Sequence, residues 1–320
     1  MTTALVTGGA GFIGSNLVDV LVARGDRVSV IDDLSTGRRP NLAHALDSGG
    51  ELIEADVRDG HAVRAAIART EPRVVYHLAA QIDVRKSVAD PRFDLDLNGG
   101  GTIELLEASR EAGVERFVFA STAGAIYGEG EGRDVPFDED AECLPDAPYG
   151  QSKFAAEGYV GLYARLHDLA TVSLRLGNVY GPRQDPLGEA GVVAIFSGAL
   201  LDGRAPTVFG DGLQTRDYIY VGDVIDGFLA AGATAVGGTF NVSTGIETNV
   251  LDLGKSVAAA CGREFEPQFA APRLGEVSRT AADPGRAARE LGWRPATPLA
   301  EGVGRTVDWT RSAASPRAAC

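Results

Sequence analysis

A short apolar run, Ala4-Leu5-Val6-Thr7, passes straight into Gly8-Gly9-Ala10-Gly11-Phe12-Ile13-Gly14 and then into a segment with helical periodicity. Leu17, Val18, Leu21 and Val22 fall on one helix face, and Gly25 supplies the stop signal. A glycine turn between strand and helix leaves the free N–H groups and positive dipole end of the helix open to a pyrophosphate. The glycines allow the tight turn and remove side chains that would hold such a ligand away. The chain therefore opens on a βαβ unit suited to a dinucleotide.

The rest of the first half repeats that grammar. Val- and Ile-rich runs recur at Ala4–Thr7, Arg27–Asp32, Glu51–Ala55, Val74–His77, Glu115–Ala120 and Thr171–Leu176, separated by helical patterns. This alternation predicts an α/β fold, a Rossmann doubly wound parallel sheet covered by helices. At 320 residues the chain exceeds one typical domain. Beyond Gly177, glycine and proline become frequent, short strands are expected at Thr215–Val221 and Gly238–Val242, and helical patterns appear near 223–233, 249–261, 283–291 and 299–311. The reading divides the chain into a dinucleotide-binding domain over 1–176, to which part of 215–245 returns, a smaller C-terminal α/β lobe over 177–311, and a frayed tail over 312–320.

Several function classes are disfavoured. The net charge of −14 argues against a general nucleic-acid binder, whose surface must answer the phosphate backbone. Cys143, Cys261 and Cys320 are odd in number and far apart, and His44, His61, His77 and His167 are scattered, so neither a disulfide framework nor a metal site is expected. The longest nearly uncharged stretch, near 190–201, is too short to span a membrane, and the N-terminal run lacks the basic flank of a signal peptide. A cytoplasmic protein is expected.

Two constellations carry chemistry. Asp32 ends the second strand, about 20 residues after the glycine loop, where a carboxylate can accept both hydroxyls of an adenosine ribose and would repel a 2′-phosphate. NAD is thus expected over NADP, although Arg38 and Arg39 lie close by. Asp56 and Val57 after the third strand, and Leu78, Ala79 and Ala80 after the fourth, sit at the carboxyl strand ends where ligands of such sheets bind. In Asp146-Ala147-Pro148-Tyr149-Gly150-Gln151-Ser152-Lys153, an Asp and a Pro occupy helix-start positions, which puts Tyr149 and Lys153 four apart on one face. Lowering a tyrosine by about three pKa units requires roughly 4 kcal/mol. One cation about 4–5 Å away at an effective dielectric near 20 supplies about 3–4 kcal/mol. The fifth strand leads into Ser121 and Thr122, whose hydroxyls can reach the same sheet edge.

Taken together, Thr7 to Gly14, Asp32 to Gly37, His77 to Gln81, Asn98 to Thr102, Ser121 to Gly128, Tyr149 to Lys153, Arg175 to Pro182, Gly188 to Phe196, Gly210 to Val224 and Arg273 to Asp283 resemble the extended short-chain dehydrogenase/reductase family, within it the UDP-glucose 4-epimerases. The resemblance implies NAD contacts from Gly8, Gly11, Phe12, Ile13 and Gly14, from Asp32, Asp33, Leu34, Ser35, Thr36 and Gly37, and from Asp56, Val57, Leu78, Ala79, Ala80, Gln81, Asn98, Ser121, Tyr149 and Lys153. It implies that Tyr149 removes the proton of the sugar 4-hydroxyl, that Lys153 lowers the tyrosine pKa and holds the nicotinamide ribose, and that Thr122 or Ser121 contacts the 4-oxygen. The UDP moiety would be gripped by Asn178, Val192, Val193, Thr207, Phe209, Arg216, Arg273 and Glu276 in the second lobe, and the protein would be a homodimer through helices near 101–112 and 149–167.

Some positions depart from that pattern. Ala123 follows Ser121 and Thr122 where many epimerases have a third hydroxyl residue, Gly99-Gly100 replaces a branched residue and is expected to loosen the helix start by about 1 kcal/mol per glycine, and Thr280 is a small residue at the hexose gate. A 4,6-dehydratase needs an acid and a base directly after the threonine, where Ala123 and Gly124 stand. A carbonyl reductase would need no UDP site, and a non-catalytic NAD-binding sensor would not need Tyr149 and Lys153. Among sugars, UDP-glucose and UDP-galactose are expected first, with UDP-glucuronate, for which Arg183 is a candidate cation, and UDP-N-acetylglucosamine as alternatives.

Overall fold

The structure is a computed structural model that describes residues 2–186, 191–272 and 277–314. Seven strands form its main sheet: β1 (Thr3–Thr7), β2 (Arg27–Asp32), β3 (Glu51–Glu54), β4 (Val74–His77), β5 (Arg116–Thr122), β6 (Thr171–Leu176) and β7 (Gly238–Val242). Their order is β7-β6-β5-β4-β1-β2-β3 and every pairing is parallel. The chain runs outward from β1 to β3 and then crosses to the other side of β1 to lay down β4. This reversal opens a crevice at the carboxyl ends of β1 and β4, the place where doubly wound sheets bind ligands.

Period-two alternation builds a separate core on each face of the sheet. Along β1, Ala4 and Val6 enter one core while Leu5 enters the other; along β5, Val118 and Ala120 face one side while Phe117 and Phe119 face the opposite one. Helix Phe12–Ala23 buries Leu17, Val18 and Leu21 in the first core, as the spacing predicts. The second core is closed by Leu105 and Leu106 of helix Gly101–Glu111 and Val160 of helix Pro148–His167.

The C-terminal lobe has its own core, where Val193, Phe196 and Leu200 of helix Val192–Leu201 meet Leu253 and Val257 of helix Val250–Cys261 and Val303 and Val307 of helix Leu299–Ala314. Around it lie three two-stranded pairings: Asn178–Tyr180 with Tyr218–Tyr220, Thr215–Arg216 with Thr248–Asn249, and Thr207–Phe209 with Gln268–Ala270. Among the described residues, no helix is long and apolar enough to cross a membrane.

Four local expectations change. The fifth strand runs through Ser121 and Thr122 instead of stopping at Ala120, because both residues pair with Arg175 and Leu176 of β6. The single strand expected over Thr215–Val221 is split by Asp217, whose buried carboxylate accepts the Thr244 and Gly245 N–H groups and the Thr244 hydroxyl. Instead of a loosened helix start, Asp96–Gly100 forms a π-helical turn that runs unbroken into helix Gly101–Glu111; a Cβ on Gly101 would come within 2.8 Å of Val57 Cγ2, so glycine lets that helix approach the loop after β3. The last helix continues to Ala314, into the segment expected to fray, while 315–320 lie outside the described residues.

Candidate active site

The glycine loop is built for close backbone approach. Gly8 has φ +68°, and a Cβ there would sit 2.7 Å from the Ala79 nitrogen, across the crevice between β1 and β4. A Cβ on Gly14 would lie 2.2 Å from the Gly8 carbonyl oxygen, so helix and turn touch only because glycine stands there. Helix Phe12–Ala23 starts after Gly11 with no side-chain cap and no acidic residue in its first turn, which leaves its N-terminal N–H groups to a ligand anion.

Asp32 stands beside this turn at the end of β2. Its carboxylate accepts the Ala10 N–H at 2.8 Å and the Leu34 N–H at 2.9 Å. Burial raises its pKa, against the pull of those two hydrogen bonds. Gly37 is pressed against it, a Cβ there falling 2.6 Å from Asp32 Oδ1. Asp33 is exposed and organises the following turn through the Ser35 N–H and hydroxyl. The neighbouring arginines are matched by carboxylates, Arg38 by Asp185 and Arg39 by Glu54. Asp56 is held by Arg58 at 2.5 Å, and the hydrogen bond from Arg58 keeps its carboxyl below the ordinary value.

At the end of β4, Gln81 and Asn98 are joined to one another. Asn98 accepts the Gln81 N–H at 2.9 Å and donates to the Gln81 carbonyl at 3.0 Å and to Ser152 Oγ at 3.0 Å. Gln81 Nε2 donates to Asp94 at 2.8 Å, and Ser152 donates to the same carboxylate at 2.5 Å. Both amides therefore spend side-chain groups on tying the segment after β4 to Asp94 of helix Pro91–Leu95 and to Ser152 of helix Pro148–His167. His77 lies beneath, between the hydroxyls of Thr7 at 2.7 Å and Thr102 at 2.9 Å, and burial, aided by the nearby Lys153 charge, keeps it neutral.

Tyr149 and Lys153 share one face of helix Pro148–His167, whose N-terminus is set by Pro148 in the first turn. Ala147, without a side-chain cap, occupies the N-cap, so Asp146 does not serve the helix start as expected. The Tyr149 hydroxyl is hydrogen-bonded to Thr122 at the end of β5. The adjacent Ser121 points the other way, as strand alternation requires, and donates to Glu157 at 2.7 Å. Lys153 is buried, its ammonium 4.1 Å from the centroid of Phe119.

The electrostatics of this pair differ from the expectation that Lys153 depresses Tyr149. Burial pushes the phenol up to about 12, with the Thr122 hydrogen bond pulling down and the Asp94 charge pushing up. Burial brings Lys153 down to about 7, opposed by Asp94 and Glu157. In the chain alone, desolvation dominates both groups.

The second lobe supplies the other wall. Asn178 Oδ1 is buried with no hydrogen-bond partner and lies 3.3 Å from the Cβ position of Gly124, next to the Thr122 side of the cleft. Val193 is fully buried in the lobe core and Val192 packs at its edge, so the first turn of their helix can present only backbone to a ligand at Val193. Thr207 is exposed and Phe209 half-buried on one short strand, and Arg216 lies on another, donating to the Thr215 carbonyl at 2.8 Å. Arg273 and Glu276 lie outside the described residues. Missed by the sequence reading were buried Asp94 and Glu157; Glu157 had a signal, since it continues the four-residue spacing of Tyr149 and Lys153, whereas Asp94 had none.

This geometry has counterparts. The model of the NAD dependent epimerase/dehydratase family matches residues 4–243. The chain belongs to this family. Among curated members, the UDP-glucose 4-epimerase of Mycolicibacterium smegmatis is 49% identical over 310 residues, covering 96% of this chain and 98% of that protein. A putative UDP-glucose 4-epimerase of Methanocaldococcus jannaschii is 43% identical over 308 residues, with 96% and 98% covered. Among solved structures, the UDP-glucose 4-epimerase of Thermotoga maritima with UDP-glucose superposes with a TM-score of 0.93 at 41% identity, covering 97% of this chain and 99% of the other. The Thermus thermophilus UDP-glucose 4-epimerase in complex with NAD gives a TM-score of 0.89 at 44% identity, with 97% and 99% covered. The family also holds dehydratases: a dTDP-glucose 4,6-dehydratase of Xanthomonas campestris is 32% identical over 333 residues, covering 97% of this chain and 93% of that protein.

The family's cofactor suits the residues of this crevice. Gly8 and Gly14 form a cradle that any Cβ would fill, Asp32 stands beside that turn at the end of β2, and Lys153 lies one helical turn from Tyr149. The cofactor is NAD.

Proposed function

We propose that this chain is an isomerase that inverts C4 of a UDP-hexose with NAD, interconverting UDP-glucose and UDP-galactose through a transient 4-keto sugar. The observation that carries this reading is the hydrogen bond between Tyr149 and Thr122, one helical turn from buried Lys153, with Ala123 and Gly124 following the threonine. Those two side chains hold no acid or base, so the site can take a proton from the 4-hydroxyl but has nothing at these positions to expel water across C5 and C6.

When bound, NAD supplies reversible hydride exchange at C4 and a positive ring beside the phenol. Tyr149 accepts the proton of the 4-hydroxyl as C4 becomes a ketone and returns it to the oxygen after the sugar has turned. Thr122 donates a hydrogen bond to that oxygen, a role that fits it better than Ser121, whose hydroxyl serves Glu157. A phenol at about 12 requires roughly 7 kcal/mol to ionise near neutral pH. Two unit positive charges about 5 Å away, each worth about 3 kcal/mol at an effective dielectric near 20, nearly meet that demand. Lys153 in its protonated form would supply one of them, and the nicotinamide ring the other.

Residues 1–176, with β7 returning to their sheet, hold NAD in this account, and 177–311 hold the UDP-sugar. Arg216, Arg273 and Glu276 serve the nucleotide, and Asn178 offers its unpartnered oxygen to the substrate. UDP-glucuronate is disfavoured because Arg183, the candidate cation for a C6 carboxylate, is paired with Asp19. A homodimer is supported by exposed apolar side chains at Val88, Phe93, Leu95, Phe154, Tyr159 and Leu166 on neighbouring helices. Purified protein is incubated separately with UDP-glucose, UDP-glucuronate and UDP-N-acetylglucosamine without added NAD, and the products are resolved by epimer. UDP-galactose from the first, with NAD co-purified, supports the reading; turnover of none, with NAD bound, rejects it.

A further inference from the structure

Glu157 is buried at 7% exposure, one helical turn beyond Lys153 on the helix that also carries Tyr149. It joins three elements under the cleft. Ser121 of β5 donates to one of its oxygens at 2.7 Å, and the Arg175 guanidinium of β6 grips both, with contacts of 2.6, 3.1 and 3.2 Å. Arg175 extends the set to the Tyr127 hydroxyl at 2.9 Å, which in turn donates to Asn241 of β7 at 2.8 Å. A buried ion pair of this kind adds little to stability compared with well-packed apolar residues, so its presence beneath the reacting groups points to another use.

We propose that Glu157 is a positioning residue for the epimerisation: fixed one helical turn from Lys153 by Ser121 and Arg175, its carboxylate keeps that lysine protonated in the working pH range. The proposal rests on the epimerase reading above. Arg175 is part of the device. By engaging both oxygens of Glu157, it keeps the carboxylate from closing an ion pair onto Lys153, whose ammonium lies over the Phe119 ring.

The other charged and titratable groups around this pair are few. Asp94, from helix Pro91–Leu95, is the second anion acting on Lys153, and His77 of β4 is held neutral. Tyr149 lies one turn earlier on the same helix. Around Glu157 stand Arg175, Tyr127 and Cys143, with Glu139 reaching Arg175 only through its carbonyl oxygen at 3.4 Å. An anion one helical turn from an ammonium, at an effective dielectric of about 20–40, moves that ionisation by on the order of one to two pH units. Removing it must lower the pKa of Lys153, since the charged form loses its stabilising neighbour.

The chain has only three lysines, Lys86, Lys153 and Lys255, so the Lys153 side chain can be followed directly by NMR of 13Cε-labelled lysine, assigned with Lys86→Arg and Lys255→Arg. Glu157→Gln keeps shape and one acceptor while deleting the charge. The expected result is a Lys153 midpoint lower by about one unit or more, with the alkaline limb of the kcat profile moving the same way. An unchanged midpoint in folded Glu157→Gln, even with lower stability or lower kcat, overturns the proposal and leaves Glu157 a structural residue. Should that variant not fold, Lys153 is titrated in Arg175→Gln and in Glu157→Gln with Arg175→Gln; the step between the two deletes the Glu157 charge alone, and equal midpoints overturn the proposal. The titration uses no sugar, so a protein that turned over no UDP-hexose would reject the functional reading without disturbing this measurement.

Discussion

Glu129 holds the segment that carries Thr280, and replacing it by glutamine tests whether that tether shapes the substrate site. Its carboxylate accepts the Ser278 N–H at 2.6 Å, the Ser278 hydroxyl at 2.7 Å, the Glu131 N–H at 2.8 Å and the Arg279 N–H at 3.1 Å. Burial pushes its pKa up, but these bonds together outweigh burial and hold it down at about 2, against an ordinary 4.5. That difference corresponds to about 3.4 kcal/mol before screening, and to about 1–2 kcal/mol for a half-buried carboxylate near water. Because the folded pKa is depressed, the contribution is complete above about pH 4.5 and is lost as pH falls from there towards 2. Urea unfolding of wild type and Glu129→Gln at a series of pH values reads this directly. The variant is expected to be less stable by about 1–2 kcal/mol at pH 7, with the gap narrowing below pH 4.5. It is also expected to raise KM for the UDP-sugar more than it lowers kcat, since the tether holds the segment that carries Thr280 and does not touch Tyr149. Equal stability at pH 7, or a gap that does not change with pH, refutes the argument.

Gly14→Ala places a methyl group 2.2 Å from the Gly8 carbonyl, so the turn must move; a loss of about 1–3 kcal/mol in stability and at least tenfold weaker NAD binding are expected, measured by thermal unfolding and by titration of the cofactor-stripped protein. Thr122→Val and Ser121→Ala separate the two neighbouring hydroxyls. The first is expected to lower kcat by about a hundredfold through loss of a hydrogen bond to the reacting oxygen, and the second to change kcat by less than about tenfold while lowering stability by about 1–2 kcal/mol through its lost bond to Glu157, as read by steady-state kinetics and urea unfolding.

The parts of this molecule written in local patterns were legible in its sequence. Period-two alternation in β1 and β5, the glycine loop before Phe12, and the four-residue spacing of Tyr149 and Lys153 each follow from short-range geometry. What escaped depends on partners far apart in the chain. Ser121 and Thr122 belong to β5 because β6, some fifty residues later, pairs with them. Three glycines that look like a weak helix start form a continuous turn, and the last of them lets the helix approach Val57 closer than a Cβ would allow. The balance at the Tyr149–Lys153 pair was also hidden: spacing puts the two groups on one helix face, but the burial that pushes both towards neutrality comes from the surrounding fold, Phe119 included. The tethers of Glu129 and Glu247 on the 278–279 segment likewise join residues over a hundred positions apart or from separate loops, and no local pattern announces them.

The central claim is that hydrogen leaves C4 of the sugar and returns to that same carbon on its other face. UDP-glucose carrying deuterium at C4 is incubated with the purified protein in ordinary water, and the recovered UDP-galactose is analysed by mass spectrometry and NMR. The account predicts full retention of deuterium at C4, with Tyr149→Phe giving no detectable product. Loss of the label to solvent, or galactose formed at a normal rate by the Tyr149→Phe protein, would contradict it.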